Sequence, residues 1–342
     1  MTGTGNTRRW RWLALGAGLA VFAWMFWTIG PAKVGAHLRS LGWSAALVPF
    51  PFLLVYAIDA FGWQLSFGRK GAGVGYATLL KIRWAGEAIN YILPTAYVGG
   101  EAVKVYLLRK RGVAPTFSGP TAVVSKSCQT LAMVMFIFGG ACMGLRYLPV
   151  DSPAKQGMLM VAALAAVGVT FLFLMQRRGL FGTAMALFRR LGFRLAVFQT
   201  QEAKLRQMDE SVRRFYGEER IWFTGSSLVF FCGWMADTLE IFLVAHLLGV
   251  PMDWSQAFAL EAFIAVAKAV GMFSPGSLGI QEIGVVFLFR LFGLPEALGI
   301  SYALIRRGRE FVFGLVGWFF IVTEEHSVRE LQAHMGGEGG PG

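Results

Sequence analysis

Cysteine, histidine and charged residues are all scarce in this sequence. The three cysteines, Cys128, Cys142 and Cys232, lie in apolar stretches without a CxxC or Cys/His spacing, so we interpret them as small core residues. The four histidines are scattered, and the sequence has no nucleophile motif, Walker loop or dinucleotide fingerprint. We therefore expect no metal site, no cofactor and no enzyme active site.

The shortage of charge indicates the class of protein. Only 15% of the 342 residues are charged, whereas 55% are hydrophobic, and phenylalanine alone occurs 30 times. A soluble domain of this length needs more charge to cover its surface. The net charge of +12 comes from basic residues beside apolar stretches, which favours anionic lipid headgroups over nucleic acid as the partner. These features predict an all-α polytopic membrane protein.

Six apolar stretches approach or exceed the roughly 20 residues that a helix needs to cross the hydrocarbon core. They are residues 12–30, 43–67, 120–148, 157–175, 221–248 and 295–323. The first follows a basic N-terminus, as in a signal peptide, but it is longer than the ordinary apolar h-region of a signal and has no cleavage motif. We therefore expect it to be an uncleaved span. The whole chain, 1–342, is then one integral membrane domain with about six full spans.

Two further apolar segments, 72–108 and 257–294, are interrupted by charges and helix breakers. The breakers are Pro94, Gly99 and Gly100 in the first segment and Ser274, Pro275 and Gly279 in the second. Broken backbone at membrane depth is tolerated only where protein buries it or water reaches it. Each segment therefore predicts a re-entrant helical hairpin that lines a cavity.

The two segments also resemble each other. A shift of 181 positions superimposes Pro94 on Pro275, Glu101 on Glu282, Leu107 on Leu288, Arg109 on Arg290 and Gly112 on Gly293. Basic flanks favour the cytoplasm, which places residues 1–11, the basic loop 177–220 and the tail 324–342 on that side. The first hairpin then opens from the cytoplasm and the second from the opposite side. Such inverted repeats are typical of secondary transporters.

A polar stripe runs along the first arm of the first hairpin. Arg83, Glu87, Asn90 and Pro94 are spaced to share one helix face. Polar side chains in an apolar segment must face the protein interior or water, so we take this stripe as a candidate cavity lining. The alternative is a purely structural ion pair between Arg83 and Glu87.

Glu101 and Glu282 occupy matching places after the two sets of breakers. Each would open the second arm of its hairpin, near the positive end of the helix dipole. We interpret them as a gating or proton-coupling pair, because ionisable groups inside a membrane are usually functional. Helix capping and packing are the alternative roles.

The last apolar stretch contains a charged group near its middle, made up of Arg306, Arg307, Arg309 and Glu310. Glu310 is spaced to pair with Arg306 or Arg307. Arginines left without a partner at the bilayer centre are costly, so we expect a negative partner. That partner is Glu101, Glu282 or a lipid phosphate, which arginine binds bidentately. The alternative is a shifted span that places these residues at the membrane interface.

Other ionisable residues also lie in apolar stretches. Lys126 belongs to the candidate cavity, although snorkelling to the interface is its simpler interpretation. Asp59, Asp237 and Glu240 add buried acids, the last two on one helix face, without an assignable partner. The GxxxG motif at 140–144 predicts close helix packing.

Both hairpins carry motifs that resemble the membrane domain of lysylphosphatidylglycerol synthases, a flippase-like domain family. The first has RW at 83–84, EAIN at 87–90, LP at 93–94 and VGGE at 98–101. The second has PG at 275–276, LG at 278–279, QE at 281–282 and Gly284, followed by R-x-RE at 307–310 and Gly314, and is most similar to the hopanoid-biosynthesis-associated branch. The resemblance implies movement of a lipid or lipid-linked headgroup between leaflets.

The sequence departs from this family in two ways. The synthases carry a soluble aminoacyl-transferase domain that these 342 residues do not contain, so aminoacyl transfer is not expected. The family often has an Arg followed three residues later by Asp in the span after the first hairpin, where this chain has Lys126 and Gln129. The role of that pair is therefore altered.

Three functions compete. The resemblance and the hairpins favour a flippase or transporter of a hopanoid-related or anionic lipid in the bacterial inner membrane, with both termini cytoplasmic. The second function is an intramembrane enzyme that uses Glu87, Glu101 or Glu282 as acid or base on a lipid. The third is a scaffold of a lipid-synthesis complex that docks through the basic loop 177–220. The oligomeric state is left open.

Overall fold

The computed structural model describes Trp27, Arg39 and residues 41–92, 98–148, 153–178, 202–271 and 280–337. These residues form ten α-helices and three short 3₁₀ turns, with no strand among them. The predicted all-α class is confirmed. The helices are α1 (Phe50–Leu65), α2 (Tyr76–Ile92), α3 (Val98–Lys110), α4 (Pro115–Gly144), α5 (Pro153–Arg178), α6 (Glu202–Glu218), α7 (Arg220–Leu247), α8 (Trp254–Gly271), α9 (Ile280–Leu291) and α10 (Glu296–Gly337).

Three helical segments in the described part of the chain are long and apolar enough to cross a membrane. They are Gly42–Leu65, Phe117–Tyr147 and Arg220–Leu247, and they match three of the six stretches named from the sequence. Residues 157–175 lie within α5, whose apolar part is shorter, and 295–323 fall on α10, whose charges interrupt its apolar face. The stretch 12–30 lies, apart from Trp27, outside the described residues. Six full spans therefore stay a prediction.

Part of the predicted basic loop 177–220 is helical, while its place in the cytoplasm stays a prediction. Residues 202–218 form the amphipathic helix α6, because Val212 and Phe215 recur at helical spacing and pack against the α2–α4 core. Its opposite face exposes Arg206, Arg213 and Arg214 to solvent. The predicted tail 324–342 is also mostly helical, since α10 continues to Gly337, whereas the predicted N-terminus 1–11 lies outside the described residues.

Each predicted hairpin contains a pair of helices in contact. In the first, α2 and α3 meet at Gly86 and Gly100, whose backbones approach so closely that a Cβ on Gly86 would lie 2.9 Å from the Gly100 carbonyl oxygen. The amide of Gly100 also donates to Asn90 Oδ1 at 2.9 Å. In the second, α8 and α9 meet where Gln256 Nε2 donates to the Phe292 carbonyl at 3.3 Å. The predicted breakers Pro94, Ser274, Pro275 and Gly279 lie outside the described residues, and re-entry into the membrane stays a prediction.

The internal repeat extends beyond the hairpins to whole helices. Adding 181 to the bounds of α3, 98–110, gives 279–291, and α9 is Ile280–Leu291. Adding 181 to the start of α4, residue 115, gives 296, the first residue of α10. Two turn glycines obey the same offset with left-handed backbone: Gly68 (φ 64°) matches Gly249 (φ 71°), and Gly112 (φ 86°) matches Gly293 (φ 72°). The shared helix starts and turn glycines agree with the predicted repeat, in which α1–α4 correspond to α7–α10.

The counterparts α1 and α7 pack against each other in opposite directions. Ser226 Oγ, near the start of α7, donates to the carbonyl of Gly62, near the end of α1, at 2.8 Å. Further along α7, Gly233 faces Asp59, and Ala236 shares an apolar cluster with Phe52 at the start of α1. Contacts nearer the end of α7 therefore involve residues nearer the start of α1, so the two helices run antiparallel. Repeat-related helices that run antiparallel are the relation expected of an inverted repeat.

Small residues set the closest helix contacts, while two cysteines depart from expectation. Gly140 of α4 lies directly against Ala262 of α8, and Gly144 lies against Met158 of α5, so the close packing predicted for the GxxxG motif is confirmed. Cys128 is buried as predicted. Cys142 and Cys232 are exposed on helix surfaces, so the prediction of core positions is wrong for these two. They point away from neighbouring helices, which periodicity alone did not reveal.

Candidate functional site

The first charged cluster lies where α2 meets α1, α3 and α4. Along α2, Arg83 Nη1 donates to Glu87 Oε2 at 3.3 Å, and Asn90 Nδ2 donates to the same oxygen at 3.3 Å. The prediction that these residues share one face is confirmed, and so is the Arg83–Glu87 pair. Arg83 also pairs with Asp59 of α1, which supplies the partner that the sequence could not assign.

Side chains of α3 and α4 complete this first cluster. Lys104 Nζ donates to Glu101 Oε1 at 2.7 Å, so Glu101 pairs with a lysine of its own helix and not with an arginine of α10. Lys126 Nζ donates to Gln129 Oε1 at 3.1 Å, and Gln129 Nε2 reaches Asp59 Oδ2 at 3.4 Å. The prediction that Lys126 extends to the membrane interface is therefore wrong, because its ammonium points into the cluster.

The second charged cluster is built on α10, where each arginine meets an acid of another helix. Arg306 binds Glu261 of α8 through both guanidinium nitrogens, at 3.1 and 3.0 Å, and Tyr302 donates to the same carboxylate at 3.1 Å. Arg309 Nε lies 2.8 Å from Glu240 Oε1 of α7, and its guanidinium stacks 3.4 Å above the Phe52 ring. These contacts join α7, α8 and α10 through ionic groups inside an otherwise apolar body.

Arg307 holds two carboxylates of the second cluster. It pairs with Glu282 at the start of α9, and its Nη1 donates to Glu310 Oε2 at 2.9 Å. Glu310 also lies 3.7 Å from Arg306 Nε. The prediction that Glu310 pairs with Arg306 or Arg307 is confirmed, and Arg307 is the closer partner. The prediction that Glu282 pairs with an arginine of α10 is confirmed, and the same prediction for Glu101 is wrong.

Asp237 and Lys268 extend the second cluster away from α10. Lys268 Nζ lies 3.7 Å from Asp237 Oδ2 and 3.8 Å from Glu261 Oε1, and Arg306 Nη2 is also 3.7 Å from Asp237. Asp237 is buried, and its Oδ1 has no hydrogen-bond partner among the described residues. Asp237 and Glu240 both face these cations, which confirms the shared face predicted for them.

The three arginines of α10 are buried by protein. Arg306, Arg307 and Arg309 are 2%, 4% and 5% exposed, and Glu310 is 6% exposed. Neighbouring helices surround their side chains, whereas the depth of α10 in a membrane, and with it the alternative placement at an interface, stays a prediction. Removing charges from water costs several kcal/mol per ion unless pairing offsets it, which explains why each arginine has an acid within ion-pair distance.

A small cavity borders the second cluster. It is lined by Gln281, Glu282, Val285, Ala303, Arg306, Arg307 and Glu310. Two of the arginines and two of the acids therefore border the same space, between α9 and α10. Gly99, the other glycine singled out at the start of α3, is half-buried in the first hairpin. Charged side chains of both signs thus surround a space about the size of one water molecule.

Four residues of these clusters were missed as site candidates from the sequence. Glu261 and Lys268 interrupt an apolar segment, and that signal alone identifies intramembrane ionisable groups as candidates. Lys104 looked like part of a basic helix end, and Tyr302 gave no signal until its contact with Glu261 was known. Their partners lie up to 45 residues away in the chain, as for Arg306 and Glu261, and helical spacing cannot reveal such pairs.

The repeat relates the cores of the two clusters. An offset of 181 places Asp59 on Glu240, Glu101 on Glu282, Lys126 on Arg307 and Gln129 on Glu310. In both halves the cation contacts the residue three positions later on its own helix: Lys126 contacts Gln129, and Arg307 contacts Glu310. These four positions correspond and differ in charge only at the last one. The rest of the clusters differs, since Arg83, Glu87 and Lys104 correspond to Ile264, Lys268 and Val285.

Comparisons with known proteins identify the family of this chain. A UPF0104 membrane protein of Pyrococcus horikoshii is 24% identical over 276 residues, covering 75% of this chain and 80% of its own length. A UPF0104 membrane protein of Methanothermobacter thermautotrophicus is 22% identical over 305 residues, covering 85% and 88%. No solved structure matches. The family described as the lysylphosphatidylglycerol synthase TM region matches residues 11–317. The chain is therefore a membrane protein that belongs to the lysylphosphatidylglycerol synthase TM region family.

Proposed function

We propose that this protein moves a lipid, or a lipid-linked headgroup, between the two leaflets of a membrane. The observation that carries the proposal is the pair of repeat-related charged clusters, each enclosed by helices of an apolar body. Ionisable groups are costly in a membrane and mark substrate or ion pathways when they are retained. The family, whose synthase members act on a phospholipid headgroup by name, makes a lipid the natural substrate.

The surface of the protein suits a lipid environment next to these clusters. Large apolar side chains are exposed along α5, including Leu164 at 63% and Val167 at 65%. On α9, Ile283 is 73% exposed and Phe287 is 61% exposed, on the helix whose first turn carries Glu282. A lipid whose chains remain beside such a surface could present its headgroup to the cavity between α9 and α10.

Arginine chemistry favours an anionic headgroup, hopanoid-related or phospholipid. The cavity brings Arg306 and Arg307 together with Glu282 and Glu310. A guanidinium binds phosphate bidentately, and the acids compete for the same donors, so a headgroup can enter by exchanging one acidic partner for another. Binding and release would then require only rearranged ion pairs, with no chemical change of the lipid and no cofactor.

We propose that the two halves act as inverted repeats, with each hairpin opening toward a different side of an inner membrane and with both chain termini in the cytoplasm. Antiparallel packing of the counterparts α1 and α7 supports this arrangement. Alternating access in transporters of this kind is largely rocking of one repeat against the other around a central site. On the exposed face of α6, which carries Glu210 as well as arginines, Arg213 and Arg214 are the proposed contacts for anionic headgroups at the membrane surface.

The test is translocation of headgroup-labelled lipid in proteoliposomes. Wild-type protein is expected to move an anionic phospholipid, whereas a Glu101→Gln plus Glu282→Gln double variant is expected to lose most of that activity. Glu296→Gln, an exposed acid at the start of α10, is the matched control and should transport like wild type. Thermal unfolding of each variant in detergent checks that the protein remains folded.

The same assay separates transport from the competing functions. A folded wild type that moves no lipid, across several lipid classes and with or without a proton gradient, contradicts the proposal and favours a scaffold. A chemically altered lipid, detected by mass spectrometry of the recovered vesicles, favours an intramembrane enzyme.

A further inference from the structure

The second cluster presents a lysine, and not an arginine, at its exposed edge. The side chain of Lys268 is 21% exposed, whereas those of the three arginines on α10 are 2–5% exposed. Lys268 lies in the last turn of α8, which is the first arm of the second hairpin. A group that approaches the cations of this cluster from outside the protein therefore meets the ammonium of Lys268 first.

Lys268 is held more loosely than the arginines beside it. Its Nζ lies 3.7 Å from Asp237 Oδ2 and 3.8 Å from Glu261 Oε1, and both distances exceed that of a hydrogen bond. Glu261 instead accepts two hydrogen bonds from Arg306, at 3.1 and 3.0 Å. The three N–H donors of the ammonium can therefore turn to a new acceptor without breaking a hydrogen bond to either acid.

The acids near Lys268 lie deeper than its ammonium. Asp237 and Glu261 are 6% and 0% exposed, and Arg306, which lies between them, is 2% exposed. These four residues carry two positive and two negative charges, so the group as a whole is neutral when all are ionised. An anion at the exposed edge is closer to the positive charge of Lys268 than to either carboxylate, and electrostatic attraction falls with distance.

The repeat places a charge of the opposite sign at the equivalent position of the first cluster. The offset of 181 relates Lys268 to Glu87 of α2. The side chain of Glu87 is 21% exposed, the same fraction as that of Lys268, while its partner Arg83 is 8% exposed. Glu87 accepts hydrogen bonds from Arg83 and Asn90, both at 3.3 Å, which hold it in place. The first cluster thus presents an acid where the second presents a base.

We propose that Lys268 is the specificity-determining residue of the second cluster, where its ammonium binds a phosphate oxygen of an anionic headgroup, and that Glu87 excludes the same headgroup from the first cluster. A lysine ammonium is a compact charge on a flexible stem, which lets it follow a phosphate as the headgroup moves. The inference rests on the proposed lipid movement for the identity of the ligand, and it adds which half receives the headgroup and which residue selects it.

Acylation of lysines in the full-length wild-type protein tests the contact without any transport. The probe is dihexanoyl phosphatidic acid, a short-chain lipid whose headgroup is a bare phosphate, and mass spectrometry measures the labelling of each lysine. Labelling of Lys268 should fall in the presence of the probe, whereas labelling of Lys81, an exposed lysine on α2, should not change. Unchanged labelling of Lys268, or an equal fall at both lysines, would overturn the proposal.

Inorganic phosphate separates a headgroup from a free ion in the same experiment. Protection of Lys268 by phosphatidic acid, but not by inorganic phosphate at the same concentration, supports a lipid headgroup as the ligand. Equal protection by both would assign the site to free phosphate and overturn the headgroup.

Substitutions measure how much Lys268 contributes to binding. Lys268→Gln should raise the dissociation constant of the same probe about tenfold, which corresponds to one hydrogen bond to a charged group. Lys268→Arg, which keeps the charge, and Lys81→Gln, the matched control, should bind like wild type. Wild-type affinity in a folded Lys268→Gln protein contradicts the proposal, and the acylation result on wild type decides if that variant does not fold.

Glu87→Gln tests the exclusion from the first cluster. Without Glu87, the cations Arg83, Lys104 and Lys126 outnumber the remaining acids Asp59 and Glu101. The variant should therefore bind more probe molecules per protein than wild type does. An unchanged stoichiometry would show that Glu87 does not exclude the headgroup.

Only a transport measurement depends on the proposed lipid movement. Wild type should translocate an anionic phospholipid in preference to phosphatidylcholine, and Lys268→Gln should lose that preference. Protection of Lys268 without any translocation contradicts lipid movement alone, while translocation with equal headgroup preference in both proteins overturns the role of Lys268.

Discussion

Single residues on α10 derive their position from partners on other helices. Arg306 and Glu261 form the most completely buried ion pair of the second cluster, at 2% and 0% exposure. Such a pair adds little net stability when it is complete, because desolvation opposes attraction. Loss of one partner is different, since the remaining charge stays in a place from which water is excluded. The pair therefore fixes how α8 and α10 meet.

This asymmetry predicts the effect of Glu261→Gln. Removal of the carboxylate should lower the free energy of unfolding by about 3 kcal/mol, the lower end of the usual range for a broken buried pair, because Asp237 and Glu310 still lie 3.7 Å from Arg306. Chemical unfolding in detergent measures the change. Glu296→Gln is the control, and a loss for Glu261→Gln no larger than for that control would contradict the buried network.

Asp253 gives a residue-scale prediction outside the spans. It caps the start of α8, since its carboxylate accepts from the Gln256 amide at 2.8 Å and from the Tyr147 hydroxyl at 2.6 Å. Burial acts to raise the pKa of Asp253, but hydrogen bonds from Ser255 and Tyr147 outweigh it and lower the pKa to about 2. The stabilisation is therefore present above the ordinary Asp pKa and is lost as pH falls through about 2.

Asp253→Ala should thus cost about 1 kcal/mol at neutral pH, the usual effect of removing an N-cap. Thermal unfolding over a series of pH values measures the difference from wild type. We expect that difference to shrink as the pH is lowered toward 2. A difference that is constant over the whole range would mean that the charged carboxylate does not form the cap.

Partners at helical spacing could be predicted from the sequence, while partners distant in the chain could not. The Arg83–Glu87 and Arg307–Glu310 pairs follow from positions three or four apart on one helix. The contacts of Asp59 with Arg83, or of Glu240 with Arg309, depend on how helices cross. Lys126 was misjudged for the same reason, because its position on α4 did not reveal that α3 covers it.

At the scale of elements, the two arms of the first hairpin depend on a glycine contact. A Cβ on Gly100 of α3 would clash with the carbonyl oxygen of Gly86 and the amide of Asn90 on α2. The obstacle is partly backbone, which cannot rotate away as a side chain can. Gly100→Ala should therefore destabilise the protein by about 1–3 kcal/mol, the usual cost of overpacking.

Gly157→Ala on α5 is the matched control for this prediction. A Cβ there meets no atom within 4 Å, and alanine favours helix more than glycine does by up to about 1 kcal/mol. Melting temperatures of the two variants in detergent should move in opposite directions. An increase for Gly100→Ala would show that α2 and α3 are not in close contact at this point.

The repeat was visible in the sequence at five positions, and the structure extends it to helix starts and turn glycines. The offset of 181 could be found because breakers and charges, such as Pro94 and Glu101, are rare in apolar segments. Within the predicted basic loop 177–220, the helix α6 was not foreseen, because its many charges masked the spacing of Val212 and Phe215. Periodicity identified apolar helices well and a charged surface helix poorly.

At the scale of the whole molecule, the proposed lipid movement depends on two halves of opposite orientation. Composition and apolar stretches predicted a helical membrane protein, which the fold and the family confirm. The direction of each half depends on the packing of α1 against α7, where contacts such as Ser226 with Gly62 run antiparallel. The sequence indicated the inversion only through the distribution of basic flanks, because contacts between distant helices leave no local pattern. The proposed lipid movement by alternating access requires this inversion.

Side-specific labelling of repeat-equivalent cysteines tests the inversion most directly. Arg109 and Arg290 are exposed counterparts in the last turns of α3 and α9. Arg109→Cys and Arg290→Cys are made separately in a protein whose native cysteines are replaced by serine. A membrane-impermeant maleimide should label the cysteine at 290 in intact spheroplasts and the cysteine at 109 only in inside-out vesicles. Labelling of both cysteines from the same side would contradict an inverted repeat and the transport mechanism built on it.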